Sequence, residues 1–279
     1  METKIKFPEF ASIKDRNKWL IENKERLITA KKAEIKKADG VPFGVIADLD
    51  DAQVIEKGQA EDDDEKTEVR VKAIINTTNI MDSHNDVHFP GLWNKSLKEN
   101  GLIMHVQEHK LEFDKIISDG PDLNAYAKTF NWRSLGFAFP GTTEALVFDS
   151  NVLKERNEFM FNQYRKGRVR NHSVGMQYVK IFLAVNDDEY GAEFEAWEKY
   201  IGQIVNAARA EEIGYFWGVK EARVIEGSAV PAGSNYATPT LEVKRLKPGQ
   251  PTLNQDIISL RNELSEAEKV RKYFNSLKF

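Results

Sequence analysis

The sequence predicts a mixed α+β fold, on three observations. β-rich runs recur through the middle of the chain: "VRVKAII" (Val69 to Ile75), "LIMHVQ", "ALVFDS" and "HSVGMQYVKIFLAV". Helical patterns interrupt them, notably "NVLKERNEFMFNQYRKG" and the segment from Ala192 to Gly214. Charge-rich amphipathic stretches stand near both ends, at residues 12 to 38 and at Asn254 to Leu277.

The first of those stretches reads as one helix. Ser12 can cap it, Trp19, Leu20, Leu27, Ile28 and Ile35 give a thin apolar stripe, and Asp39-Gly40 ends it. Such a helix either packs one edge on a domain or serves as a docking arm. "AEDDDEKTE", Ala60 to Glu68, reads as a solvated acidic loop. The strand from Val69 follows, then the turn-rich "MDSHNDVHFPG", in which Asp82 and Asp86 are expected to form turns. "LIMHVQ" reads as a strand after the turn at Glu99-Asn100-Gly101. The helical pattern from Asn151 is expected to end at Gly167. In the long helix from Ala192, the Phe194, Trp197, Ile201, Ile204 and Val205 stripe is core packing. A polar, proline-containing linker runs from Thr238 to the last helix. Trp93 and Trp132 are assigned to the core.

Composition excludes several function classes. Of 279 residues, 41% are hydrophobic, enough for a substantial core. The 40 basic and 44 acidic side chains nearly cancel, giving no electrostatic reason to expect nucleic acid as partner. There is no cysteine, so disulfides and cysteine metal ligands are out, and a reducing setting is natural. Neither an apolar signal core nor a run of about 18 apolar residues occurs, so no membrane association is expected.

Two constellations carry chemistry. His105-Val-Gln-Glu-His109 spells H-x-x-E-H, the inverted zinc-peptidase pattern. That pattern needs a helix to turn both histidines to one metal. On the expected strand, His105, Gln107 and His109 share a face and Glu108 points away, so a metallopeptidase is the lesser alternative and no metal is assigned. The second constellation centres on Ser173, on a strand and followed by Gly175. A serine becomes a nucleophile when a histidine takes its proton and a carboxylate orients that histidine. His105 or His109, from another strand, could serve as base.

Four segments, in order, then resemble the prohead proteases of tailed phages. "IINTTNIMDSHNDVHFPGLWNKSLKEN" resembles the family's opening strand and D-x-x-x-D turn, through Asp82, Asp86, Pro90, Gly91, Trp93 and Leu97. "LIMHVQEHKLEFDKII" resembles the apolar strand that ends in a catalytic histidine, with His109 there. "RKGRVRNHSVGMQYV" resembles the S-x-G strand, with Ser173 as nucleophile. "VIEGSAVPAGSN" resembles the E-x-S-x-V motif, through Glu226, Ser228, Val230 and Pro231. The match covers roughly residues 69 to 236.

The resemblance implies a compact β-barrel-like protease core with surrounding helices, related to the herpesvirus assemblins, at residues 41–237 with a helical insertion at 190–214. Helical arms at 1–40 and 238–279 flank it outside the matched segments, and their charge-rich amphipathic pattern is read as that of docking segments for scaffold, capsid protein or a second copy, open to trimming by self-cleavage. It implies a serine endopeptidase, with Ser173, His109 and Glu226 catalytic and no cofactor. Its substrates would be scaffold, major capsid protein and the chain itself, inside the prohead in the host cytoplasm, with self-association a further expectation. An idle relative acting as scaffold or internal capsid protein is the alternative. The sequence departs from the family at Gln107-Glu108, where an aromatic residue and asparagine usually precede the histidine. That keeps His105 open as base, and His172, beside the nucleophile, is open as third member in place of Glu226. Arg168 and Arg170 are candidate oxyanion donors.

Overall fold

The computed structural model describes residues 7–36, 67–99 and 101–245. Most of the acidic tip and the expected C-terminal helix lie outside the described residues. The elements, in chain order, are α1 (Ile13–Glu22), α2 (Lys24–Ala33), β1 (Ile35–Lys36), β2 (Glu68–Thr77), β3 (Asp86–His88), α3 (Asn94–Glu99), β4 (Met104–Gln107), β5 (Ile116–Asp119), β6 (Leu123–Asn131), β7 (Thr142–Leu153), α4 (Glu158–Arg165), β8 (Asn171–Val185), α5 (Gly191–Ile201), α6 (Ala207–Ile213), β9 (Tyr215–Val230) and β10 (Thr240–Arg245). The α+β class holds. The strands form two sheets and not a closed barrel. One runs β1-β8-β9-β4-β5 with β3 alongside β9, the other β10-β2-β7-β6.

The main core lies between the sheets. Val69, Val71, Ala73 and Ile75 of β2, with Leu146 and Phe148 of β7, meet Val174, Met176 and Tyr178 of β8 and Val219 and Val224 of β9. Every second residue points inward, as strand geometry dictates. Each such aliphatic side chain contributes about 1.5–3 kcal/mol by leaving water. Gly227 sets the closest approach: a Cβ there would stand 2.4 Å from Phe148 and 2.9 Å from Ile75. Trp93 joins this core, and Trp132 packs with Ile80 and Ala237 in a smaller one.

Four expected elements differ. The first helix divides at Asn23, whose side chain donates to the Trp19 carbonyl (2.9 Å), and ends at Ala33. Ser12 does cap it, accepting from the Asp15 amide at 3.1 Å. Leu20 and Leu27 pack on Leu183, Val185, Tyr215 and Trp217 of the first sheet. The helical pattern from Asn151 begins as strand: Val152 is buried opposite Val69, and α4 starts only after Asn157, which accepts from the Met160 amide at 3.0 Å. The linker after Thr238 becomes β10, paired with β2.

The long helix from Ala192 also divides, between Gly202 and Asn206. Asn206 leaves the helix to imitate a strand: its Oδ1 accepts from the Met81 amide (2.8 Å) and its Nδ2 donates to the Met81 carbonyl (2.9 Å). Asn206→Ala strips both bonds from a part-buried backbone. It is expected to destabilise the fold by about 2 kcal/mol in urea unfolding, against a few tenths for Glu198→Ala on the neighbouring helix.

Candidate active site

The register of β8 on β9 assembles the site. Ser173 lies opposite Ser228, and Gly175 opposite Glu226, in an antiparallel ladder. Side chains directly opposite share a face, so all four positions belong to one face of the sheet. β4 runs parallel to β9 on its other side, with Met104 opposite Glu226 and Val106 opposite Ser228.

β4 stops at Gln107. Glu108 and His109 then take left-handed backbone conformations, φ +51° and +58°. Non-glycine residues there are strained by about 1–3 kcal/mol each and need outside support. The support is visible: the Glu108 amide donates to the Ala229 carbonyl (3.0 Å), and the His109 amide donates to Ser228 Oγ (3.0 Å). This turn breaks the strand alternation, so His109 does not share a face with His105, contrary to the expectation from a continuous strand. The His109 imidazole meets Glu226, Nδ1 to Oε1 at 2.5 Å. Ser228 Oγ donates to the other carboxylate oxygen at 2.6 Å. Ser228 thus holds the carboxylate and the histidine backbone together, a role that sequence reasoning did not assign to the serine of the E-x-S motif.

Gly175 is required by this packing. A Cβ there would stand 2.0 Å from Glu226 Oε1, so only glycine leaves the carboxylate its place. Glu226 and His109 are both buried, and a carboxylate this far from water is tolerated only with its bonds made.

The competing histidines lie on the other face. His105, opposite Gly227, and His172, opposite Ala229, both reach the Tyr164 hydroxyl with Nε2 at 3.0 Å. His172 Nδ1 faces the Thr238 carbonyl at 3.1 Å, a pure acceptor, so that nitrogen carries the proton. Tyr164 then donates to His172 and accepts from His105, whose Nδ1 accepts from Ser150 Oγ at 3.0 Å. Every polar atom is matched with both rings neutral. Burial lowers the His172 pKa to about 4, and burial with His172 nearby holds His105 well below its ordinary value. All four ring nitrogens are engaged by Tyr164, Ser150 and Thr238.

The H-x-x-E-H stretch is likewise dispersed. His105 is buried between the sheets, His109 turns to Glu226, and Glu108 pairs with Lys110 at 3.0 Å near the surface. Arg168 and Arg170 are exposed.

Ser173, only 5% exposed, lines a narrow cleft with Asn76, Asp82, His84, His88 and Asn235; His109 and Glu226 do not line it. Ser173 is therefore where the His–Glu pair's strand ladder and the cleft meet. Asp82 forms the expected turn, Oδ1 accepting from the amides of His84 (2.8 Å) and Asp86 (2.9 Å). Asp86 does more: it accepts from the Tyr178 hydroxyl at 2.8 Å and pairs with Lys31 of α2. Tyr178 in turn contacts His88 Nε2 (3.1 Å), and His88 Nδ1 faces the Asn76 amide (3.0 Å). No local sequence pattern announces this chain, because its members come from four separate elements. Compared with protein-family models, curated proteins and solved structures, the chain finds no match in any of the three.

Two outcomes follow. Gly175→Ala should push the Glu226 carboxylate off His109, abolish the downfield Nδ1 proton resonance in NMR, and cost about 1–3 kcal/mol by overpacking. Acid should also weaken the fold through His172. Above its ordinary pKa of 6.5 the ring is neutral folded or unfolded; below it only the unfolded chain takes the proton, until about pH 4. The loss is about 3 kcal/mol over that window. Urea unfolding at pH 7 and 4.5 should show it, with a shallower slope in His172→Asn.

Proposed function

We propose that this chain is a serine endopeptidase of the prohead-maturation type. One observation carries the reading: a buried His109–Glu226 pair at 2.5 Å, on the strand-ladder face that bears Ser173. The two packed sheets serve as its barrel-like protease core. With Nδ1 held by Glu226, the tautomer is fixed and Nε2 is the atom that exchanges protons.

In this mechanism His109 takes the Ser173 proton as Oγ bonds to the scissile carbonyl carbon, whose π electrons move to oxygen. The tetrahedral intermediate collapses, the C–N bond breaks, and the amine leaves with the proton from His109. Water then gives a proton to His109 and its oxygen to the acyl carbon; collapse returns the proton to Ser173 and frees the carboxylic acid. Glu226 keeps its hydrogen bond to Nδ1 and stabilises the imidazolium. Neither step calls for a metal or cofactor. The proposed substrates are scaffold, major capsid protein and the chain itself, cut inside the assembling prohead.

The test is intact mass over time for the purified chain mixed with its capsid protein, alongside Ser173→Ala. Fragments that need Ser173 are expected, and Glu226→Gln should slow their appearance by on the order of 10³–10⁴-fold. Equal cutting with and without the serine hydroxyl would remove Ser173 as nucleophile. No cutting by either, even in assembled proheads, would leave an idle scaffold-like protein.

A further inference from the structure

The cleft beside Ser173 has a chemical asymmetry that the mechanism does not use. One wall is apolar, made by Ile75, Val174 and Met176, and at the other stands Asp82. That carboxylate is 4% exposed, and no lysine or arginine among the described residues pairs with it. The titratable groups facing it are Asp86, His88 and His84. Other buried carboxylates are matched: Asp86 by Lys31, and Asp149 by Arg70 at 2.9 Å. An unpaired, nearly buried acid is costly, and burial together with Asp86 raises the Asp82 pKa accordingly. A cation that enters the cleft reverses both effects.

The form of the cleft selects which cation. Its enclosed part has room for about one water molecule. A lysine ammonium is a compact point charge of that size on a flexible apolar stem, whereas a guanidinium is a broad plane. Along the β8 edge β1 lies antiparallel, with Lys36 opposite Met176 and Ile35 opposite Gln177, and at Asn171 and His172 the edge is taken by Pro239 and Thr238.

We infer that Asp82 is the specificity-determining residue of this site and that it selects substrates with a lysine adjoining the scissile bond. This rests on the endopeptidase reading above.

The experiment uses the full chain, its Ser173→Ala twin and Asp82→Asn on a library of unfolded peptides, with cut sites mapped by mass spectrometry. Asp82→Asn keeps an oxygen for the His84 and Asp86 amides, so the turn is retained, and a thermal melt checks it. Ser173-dependent cuts should be enriched at lysine over arginine and glutamine. The kcat/KM ratio of matched lysine and glutamine peptides should fall about tenfold or more in Asp82→Asn. Ser173-dependent cutting without lysine enrichment, or with a ratio unmoved by Asp82→Asn, overturns the inference and leaves the endopeptidase reading standing. Absence of any Ser173-dependent cut in the library and in capsid protein removes both.

Discussion

The Glu226 carboxylate sits in the volume that a side chain at position 175 would occupy, and the candidate site hangs on that contact. It requires glycine at 175 and the β8–β9 register that sets 175 opposite 226. A slip of one residue would send every side chain to the other face of the sheet, and the inter-sheet core of Val174, Met176 and Val224 forbids it. The hydrophobic core thus specifies the polar site. Once placed, the carboxylate holds the His109 ring, and Ser228 ties carboxylate and histidine backbone into one unit. Breaking any of these bonds leaves a buried charge short of partners, so the cluster forms as a whole.

One strand pair carries two separate sets of polar groups, and alternation keeps them apart. Ser173 and His172 are neighbours in sequence and lie on opposite faces. The inner face holds the neutral His105–Tyr164–His172 chain, closed on itself and matched atom for atom. The outer face holds an acid, an imidazole and a serine. Desolvation acts on both, but only the outer set contains an ionisable pair of opposite character within hydrogen-bond reach. Such a pair is suited to moving protons, whereas the inner set is suited to staying put.

Much of this was legible in the sequence, and the failures share a cause. The strand segments, the Ser12 cap and the Asp82 turn follow from local pattern. The helix breaks at Asn23 and at Gly202 to Asn206 do not, because each depends on an asparagine amide finding a backbone group that only the fold brings near. β10 reads as linker because its pairing with β2 spans most of the chain. Motif order singles out His109, but a continuous strand gives it the wrong face: nothing in Gln107-Glu108-His109 signals two successive left-handed residues, which are upheld by Ser228 and Ala229 from β9. Ser228 stood in the motif without a role until both of its hydrogen bonds could be seen.

The N-terminal segment fits poorly with a purely disposable arm. Leu20 and Leu27 are buried against the first sheet, each contributing about 1.5–3 kcal/mol, and Lys31 pairs with Asp86, the neighbour of Asp82. Removing α1 and α2 would uncover Trp217 and Tyr215 and take Lys31 away from Asp86. The two N-terminal helices are thus part of the architecture around the candidate site.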